Sequence, residues 1–455
     1  MTRPSSSGDE QRTPEDRGPQ RLTLAESILV IDVVGSIRLE RPPAQSVNRA
    51  RLDKERLAVA GSALVVGLLP LVFPIGSANI APVDGLIALG IVACLLWSNA
   101  ARHRWRLPYA LSVGLIVVGG ALGALAGPVP WLGVTAIAQD VVLIAWCVVV
   151  ANISYSAANL RTLMATWAYS AIGWAMLVFV GLVIGSPLLT GQTAAEGSRI
   201  SLTFGDPNLA ANYFFVSIMV IWATRLPRRR WVRIAAYCGL LACIALTGSN
   251  SGIVALIIGT TVAGLLGVYR RAGLVPAVVL CMLLFIVGGV AAATISPESV
   301  QTAAQRSSHA FIRDGIGRSA QTGGDHALIM REGLRLYLTG PASGEGPVST
   351  KTRLRAENAS RVKEAHSDFV AALVERGAIG LVGLLVLIAS VGFRAVSVAT
   401  GGLTNGFSDV VRRPNALAGA LAGTLAAGIV YELLHVRHVW TLFGLIAALF
   451  IWGRR

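Results

Sequence analysis

Charged residues are scarce in this 455-residue chain: Asp, Glu, Lys and Arg together make up 14% of it, whereas hydrophobic residues make up 54%. Soluble domains carry roughly 25% charged residues. A soluble fold of this length needs a polar face on every surface helix, and long stretches of the sequence supply none. The composition therefore excludes a water-soluble enzyme and predicts a polytopic membrane protein.

Cysteine is also rare, and the common catalytic motifs are absent. The five cysteines fall in apolar segments without a Cys-x-x-Cys pair, so neither a disulfide framework nor a cysteine metal site is predicted. There is no P-loop, no GxGxxG or GxSxG element, and no Asp-x-Asp pair of the kind used in metal-dependent sugar transfer. His435 and His438 lack a third ligand nearby. These absences favour chemistry without a metal or another cofactor.

The first 56 residues have a different composition from the rest. They contain ten Lys/Arg and nine Asp/Glu with scattered Pro, Ser and Gly, which is typical of a disordered tail. The first apolar run lies far from Met1 and has no small-residue cleavage pattern, so no signal peptide is expected. We therefore predict a disordered cytoplasmic tail over residues 1–56.

Beyond the tail, apolar stretches alternate with short breaks. Each stretch is close to the length needed to cross a hydrocarbon core of about 30 Å. Nine predicted spans lie within residues 57–294 and three within 378–455. The spans are 57–76, 80–98, 108–126, 132–152, 160–186, 207–225, 234–248, 252–268, 274–294, 378–398, 416–434 and 438–453. The sequence thus predicts an all-α fold with about twelve transmembrane helices.

The net charge of +15 has a role in orienting these helices. In a soluble protein it would suggest a nucleic-acid partner, but here Lys and Arg lie between apolar runs, so no such partner is expected. With a cytoplasmic amino terminus, the short outer loops contain only Arg199 and Arg437. The inner loops hold Arg102, Arg104, Arg106, Arg225, Arg228, Arg229, Arg230, Arg233, Arg270, Arg271, Arg394, Arg412, Arg413, Arg454 and Arg455. This asymmetry predicts that both termini are cytoplasmic.

One connection is much longer than the others. Residues 295–377 form a polar outer loop with eleven Lys/Arg, nine Asp/Glu and three His. Apolar residues recur at helical spacing over 326–338 and 357–376, and Gly and Pro predict a turn over 340–349. Because long loops in compact proteins are usually functional or disordered, we expect a partly helical functional cap over the membrane bundle.

Polar residues of the predicted spans collect toward the outer face. A charge at the centre of a membrane helix costs about 2.5–3.5 kcal/mol on an insertion scale, so its position is informative. A site at the outer membrane boundary, covered by the long loop, is the simplest hypothesis. The residues concerned are Asp84, Asp140, Arg199, Asp206, Asn208, Asn212, Asn250, Glu432, Arg437 and His438.

Two residues near that boundary have side chains suited to chemistry. Arg199 stands before the segment 200–208, and its guanidinium can bind phosphate oxygens in a bidentate manner. The alternative is a surface arginine near lipid headgroups. His366 lies on the apolar face of the second loop helix and can act as a general base near neutral pH. The alternative is a packed histidine with no chemical role.

Across roughly residues 195–395 the sequence resembles the O-antigen ligase and O-antigen polymerase superfamily of bacterial membrane glycosyltransferases. The resemblance depends on four segments in order. They are Arg199 followed by Phe204-Gly205-Asp206-Pro207-Asn208, the sequence LTGSNSG at 246–252, the Gly-Pro turn at 340–347, and AHSDFVAALVERGAIG at 365–380.

The resemblance implies a GT-C-like membrane enzyme of the bacterial cytoplasmic (inner) membrane that works without a metal. It implies transfer of a glycan from a polyprenyl-pyrophosphate donor to the hydroxyl of a glycan or lipid-linked acceptor on the outer face of the bilayer. Arg199 then corresponds to a pyrophosphate ligand and His366 to the general base. The sequence does not distinguish a ligase from a polymerase of lipid-linked repeat units.

This chain departs from the family pattern at two places. Ser249-Asn250-Ser251 stands where the family often has Ser-Arg-Gly. The family's loop arginine corresponds to His326 when the sequences are aligned from Leu334 through the Gly-Pro turn, and to Arg318 when counted back from His366. Both remain candidate pyrophosphate ligands, with Arg331 as a third.

Two other classes of protein fit about twelve spans. One is a secondary transporter, but neither an internal repeat nor a midplane charge pair is found. The other is a non-catalytic partner in cell-envelope assembly, whose outer face only docks another protein.

Overall fold

The computed structural model describes residues 49–73, 81–193, 196–294, 296–308, 313, 319–359, 362 and 366–454. In chain order their helices are α1 (Arg49–Gly67), α2 (Pro82–Ala101), α3 (Ala110–Ala126), α4 (Pro130–Ile153), α5 (Ala157–Ile184), α6 (Pro187–Thr190), α7 (Pro207–Thr224), α8 (Arg230–Thr247) and α9 (Asn250–Ala272). They continue with α10 (Leu274–Thr294), α11 (Pro297–Gln305), α12 (Ser319–Thr339), α13 (Thr350–Ala356), α14 (Asp368–Gly401), α15 (Phe407–Val410), α16 (Asn415–Gly428) and α17 (Arg437–Ala448), which ends in a π-helical turn, Leu449–Gly453.

The predicted all-α polytopic fold is confirmed. Each of the twelve predicted spans overlaps one of these helices, and the described residues form no β-strand. Within the described residues, seven helices are long and apolar enough to cross a membrane, namely α2, α4, α5, α7, α8, α9 and α14. Four shorter apolar helices are α3, α10, α16 and α17. Helix α1 belongs to neither group, because its first turns contain charged residues assigned by sequence to the tail.

Helix α7 lies at the centre of the bundle. Of its most apolar window, 83% is buried, against 28–44% for the other six long apolar helices. Tyr213, Phe214 and Phe215 on this helix are completely buried. At 1.5 Å per residue its 18 residues span about 27 Å, so its two ends mark opposite ends of the bundle.

Glycines allow several helices to cross closely. A Cβ added to Gly419 on α16 would lie 2.3 Å from the carbonyl oxygen of Gly259 on α9. One added to Gly119 on α3 would lie 2.6 Å from the amide nitrogen of Gly380 on α14. Close backbone approach of this kind is how helices gain van der Waals contact in a membrane, where lipid is as apolar as the side chains.

The long loop contains helices α11, α12 and α13. Helix α12 confirms the predicted helix over 326–338, and the predicted turn over 340–349 is also non-helical. Leu336, Leu354 and Val374 form a small buried cluster that packs α12 and α13 onto the start of α14. This cluster attaches the described part of the loop to the bundle.

The prediction of a helix over 357–376 is wrong in its first half. Residues 357–359 and 366–367 are non-helical, and α14 begins only at Asp368 before continuing through the predicted tenth span. The helical spacing of apolar residues continues across this break, but the backbone does not. His366 has a φ of +48° and Ser367 is extended, so neither can belong to a right-handed helix.

Candidate functional site

A cavity of about 660 Å³ lies where helices α2, α7, α14 and α17 begin. Its apolar wall comes from α3, α4 and α14 and includes Ile116, Ile144, Leu384 and Leu387. Five of the ten polar residues predicted to gather at the outer face are in its lining. The ionisable and phenolic lining residues are Asp84, Asp140, Asp206, His366, Asp368, Glu375, Arg376, Tyr431, Glu432, His435 and Arg437.

Two arginines line the cavity, and each is held by a carboxylate. The Nε of Arg437 donates to one oxygen of Asp84 at 2.8 Å and its Nη2 donates to the other at 2.5 Å. Nη1 of Arg376 lies 2.7 Å from Oδ2 of Asp140 in a second ion pair. All four side chains are at most 20% exposed. A buried ion pair of this kind offsets the cost of bringing each guanidinium out of water.

His366 lies in the same cavity in a strained backbone conformation. Its φ of +48° is left-handed, which is uncommon for a residue other than glycine and tends to occur at functional sites. Its backbone N–H donates to Glu432 at 3.1 Å, and its ring centroid is 5.6 Å from that of Tyr431. The hydroxyl of Tyr431 donates to Asp206. These contacts join the loop histidine to the start of α7.

Asp368, the first residue of α14, holds the connection between α16 and α17 against the site. Its Oδ1 accepts from the backbone N–H groups of Leu433 at 2.9 Å and Leu434 at 3.0 Å. A Cβ on Gly428 would lie 2.6 Å from Oδ2 of Asp368, so the end of α16 also packs against this carboxylate. Asp368 thereby positions the segment that contributes Tyr431 to the cavity.

The Gly-Pro turn fits into a break in α14 at Gly377. There φ is +65° and ψ is −169°, so the helix is interrupted and Ala378 donates its N–H to Ala342 of the turn instead. The carbonyls of Val374 and Glu375 accept from Glu345 at 2.8 Å and from Gly346 at 3.0 Å, respectively. The exchange satisfies the polar backbone groups that the break exposes.

This exchange of backbone hydrogen bonds also shapes the site. It places Pro347 and Val348 in the cavity lining, next to Arg376. The Gly-Pro turn singled out in the sequence therefore forms part of the wall around the guanidinium.

Arg199 is buried and is absent from the cavity lining. Its Nε donates to the carbonyl of Thr247 at 2.7 Å, and its Nη1 donates to Glu196 at 2.7 Å. Ser249 caps α9 and donates to Asn208 at 2.7 Å. The structure thus joins two of the four segments on which the family resemblance depends. The role of Arg199 in binding pyrophosphate stays a prediction.

Three residues are candidates for the family's loop arginine, and the structure describes the side chain of only one of them, Arg331. Arg318 lies outside the described residues. His326 lies in α12, and its side chain is not among those described. Arg331, also on α12, is exposed. The predicted pyrophosphate contacts of Arg318 and His326 stay predictions.

Several cavity residues were not candidates from the sequence. Asp368, Glu375 and Arg376 lie within the segment 365–380 that carries the resemblance, but only His366 was selected from it. The signal that could have identified Arg376 is its place before Gly377, because a glycine inside an apolar helix often marks a break or a close approach. Tyr431 lies within the predicted span 416–434 and gave no signal of its own.

Among the described residues, no three His, Cys, Asp or Glu side chains come together in a way that could hold a metal ion. The carboxylates of the cavity are engaged by arginines, backbone amides and hydroxyls. Glu375, for example, accepts from the hydroxyl of Thr350 at 2.9 Å. Metal-independent chemistry stays a prediction.

Residues 234–385 match the family model described as O-antigen ligase. The match covers α8–α10, the long loop and the first half of α14, and it confirms the resemblance to the O-antigen ligase and polymerase family. It supports an O-antigen ligase- or polymerase-like membrane glycosyltransferase and a multi-pass membrane protein. No curated protein matches the chain.

Proposed function

We propose that the chain transfers a glycan from a polyprenyl-pyrophosphate donor to an acceptor hydroxyl, and that the cavity is the place of transfer. The observation that carries this proposal is the location of His366 in one cavity with two carboxylate-held guanidiniums. A base, phosphate-binding cations and an apolar wall are the parts that such a transfer requires.

In the proposed step, His366 accepts the proton of the acceptor hydroxyl while the hydroxyl oxygen attacks the anomeric carbon of the donor sugar. The bond from that carbon to the pyrophosphate oxygen breaks, and polyprenyl pyrophosphate leaves with the electron pair. The proton on His366 then passes to solvent. No oxidant, reductant or metal is needed to balance the step.

Arg376 and Arg437 are proposed to stabilise the leaving pyrophosphate. A guanidinium presents several N–H donors in a plane that matches phosphate oxygens. Each arginine is already oriented by a carboxylate, Asp140 for the first and Asp84 for the second. A pyrophosphate bound between them would share or replace these carboxylates as the partner of the guanidinium.

The apolar wall is proposed to receive the first isoprene units of the donor. Leu384 and Leu387 on α14 and Ile116 on α3 belong to this wall. We assign the cavity to the outer face of the bacterial cytoplasmic membrane, with both termini cytoplasmic. The support is the distribution of basic residues, which is dense at the opposite end of α7.

The test uses His366→Asn rather than His366→Ala. Asparagine tolerates the left-handed conformation that this position requires and keeps the backbone N–H that donates to Glu432. Loss of a general base lowers rate by about 10²–10⁴-fold, and we expect a loss of that size. The measurement is transfer of labelled glycan from polyprenyl pyrophosphate by purified protein. Arg355→Gln, an exposed charge on α13, is the control and should transfer at the wild-type rate.

Full transfer by His366→Asn would contradict the role of the histidine. The acceptor in the same assay separates the finer alternatives, because a ligase uses a separate hydroxyl acceptor and a polymerase extends a second lipid-linked chain. If no glycan product forms and vesicles show proton- or sodium-coupled uptake, the chain is a transporter. If the chain is pulled down with an envelope synthase and has no transfer activity of its own, it is an assembly partner.

A further inference from the structure

The end of the bundle opposite the cavity contains a concentration of arginines that the proposed reaction does not use. A second cavity, of about 280 Å³, lies at the carboxyl end of α7. Five arginines line it, together with one acidic residue, Asp409. The arginines are Arg161, Arg225, Arg228, Arg233 and Arg412.

A third cavity, of about 470 Å³, adjoins the second. Arg412 lines both cavities, and Arg270, Arg271 and Arg413 complete the basic part of the third. We call the two cavities together the basic cleft. In the described part of the chain, no carboxylate forms an ion pair with any arginine of the basic cleft, although Asp409 lies in its lining.

Only some of the arginines in the basic cleft have a role in holding the fold together. Arg233 holds the turn after α7 by donating to the carbonyls of Arg225 and Pro227 at 3.0 Å each. Partial burial, followed by repulsion from Arg225 and Arg271, lowers the pKa of Arg413. The repulsion means that Arg413 lies close enough to Arg225 and Arg271 for their charges to interact.

Membrane topology alone does not explain the convergence. Arginines that only orient a helix need to lie in the correct loop, without surrounding a common cavity. Those of the basic cleft come from five separate places in the sequence: the start of α5, the α7–α8 turn, the start of α8, the end of α9 and the connection before α16.

The floor of the third cavity indicates what kind of anion fits. It is formed by Trp222 on α7 and by Ala263, Gly264 and Gly267 on α9. These four residues are apolar and mostly small, and Asn415 beside them donates to the carbonyl of Ala263 at 2.6 Å. The floor continues from the arginines toward the membrane-spanning part of the helices. A free phosphate would leave such a floor unused, whereas an acyl chain would cover it.

We propose that the basic cleft binds an anionic phospholipid, with the headgroup phosphate on the arginines and an acyl chain against the α7–α9 floor. Basic pockets between transmembrane helices bind lipid headgroups of this kind. The lipid holds α7, α9 and the connection before α16 together at the end of the bundle away from the transfer site. This proposal does not depend on the proposed transferase activity.

The test measures binding of labelled phosphatidylglycerol to the full chain in neutral detergent micelles, with phosphatidylcholine as the uncharged comparison. The variant is the double substitution Arg412→Gln/Arg413→Gln. A basic residue near a membrane surface contributes about a fivefold gain in affinity, so two should together account for about thirtyfold. The matched control is Arg102→Gln/Arg104→Gln, which removes the same charge from exposed positions after α2, at the same end of the bundle.

We expect the wild type and the control pair to retain phosphatidylglycerol in preference to phosphatidylcholine, and the Arg412/Arg413 pair to lose this preference. Thermal unfolding identifies a variant that fails to fold, in which case Arg412→Lys/Arg413→Lys replaces it and should keep most of the binding. An equal loss in the control pair would overturn the proposal, because net charge alone would then explain it. Displacement of the lipid by inorganic phosphate at low millimolar concentration would overturn the choice of a lipid as the ligand.

Discussion

The break in α14 at Gly377 provides the most direct test of how the site is built. Gly377 is the point at which the Gly-Pro turn inserts into the helix, one residue after Arg376. Replacing it with alanine adds a single methyl group and changes no charge. Any effect must therefore come from the backbone conformation and from the space around the new Cβ.

Both the backbone conformation at Gly377 and the space around the new Cβ are unfavourable for alanine. The φ of +65° with a ψ of −169° lies in a region that is essentially restricted to glycine and costs about 1–3 kcal/mol for other residues. The new Cβ would lie 2.4 Å from the carbonyl oxygen of Ala342 and 2.5 Å from the carbonyl carbon of Ser343. These are backbone atoms that cannot rotate away, so overpacking adds about 1–3 kcal/mol. We expect Gly377→Ala to lower the free energy of unfolding by about 2–6 kcal/mol.

The assay is denaturant unfolding of the purified protein in detergent, followed by glycan transfer. Gly392→Ala is the matched control on the same helix, because nothing lies within 4 Å of its added Cβ. Since alanine is a better helix former than glycine, the control should be neutral or more stable by up to about 1 kcal/mol. Equal stability of the two variants would refute the reasoning. Gly377→Ala should also lose transfer at temperatures where it stays folded, because Pro347 and Arg376 are displaced.

Four further substitutions test other parts of the structure. Asp84→Asn and Arg437→Gln should each cost about 3–5 kcal/mol of unfolding free energy because each removes one partner of a buried ion pair, and a double-mutant cycle that gives simple additivity would contradict the pairing. Gly419→Ala should lower the unfolding midpoint in detergent, since its Cβ would meet a carbonyl oxygen of α9 at 2.3 Å; an unchanged midpoint would argue against this crossing. Arg199→Gln should cost about 1–3 kcal/mol in the same unfolding assay through loss of the bond to the carbonyl of Thr247, whereas a transfer defect with wild-type stability would favour direct contact with pyrophosphate.

The positions of the helices were predictable because each depends on local composition. An apolar stretch near twenty residues becomes a helix wherever it packs, and the break between the predicted spans 234–248 and 252–268 falls at the turn between α8 and α9. Arg394 was assigned to an inner loop by its charge alone. In the structure it is buried within α14, with its guanidinium 4.5 Å from the ring centroid of Tyr109. An aromatic face from another helix compensates this charge, and such compensation leaves no local signal.

The site was predictable in its general location but not in its contacts. Polar residues near span ends indicated the end of the bundle at which the candidate cavity lies, since a charge in lipid is costly and must be retained for a reason. The partner of Arg376 is Asp140 on a distant helix, and the start of α14 is fixed by amides of the segment before α17. Both contacts join residues that are far apart in the sequence, so no local spacing pattern predicts either of them. The same is true of His366, whose helical pattern continues through a left-handed turn held by Glu432.

The two ends of the bundle use the same side chain in different electrostatic settings. At the proposed transfer site Arg376 and Arg437 each have a carboxylate as partner. Each ion pair has a net charge close to zero. In the proposed reaction, the departing pyrophosphate would meet guanidiniums that are already oriented and that can exchange the carboxylate for the pyrophosphate. In the basic cleft no described carboxylate forms such a pair, so the positive potential persists and favours an anion that stays bound. Positive charge alone therefore does not distinguish the arginines proposed to bind pyrophosphate from those proposed to bind lipid. The presence or absence of a carboxylate partner does.

A carboxylate introduced beside Arg412 should for this reason reduce lipid binding and leave transfer intact, whereas removal of Asp140 should impair transfer and leave lipid binding intact. The two measurements already described would detect both results, and a reversed outcome would refute the division of roles.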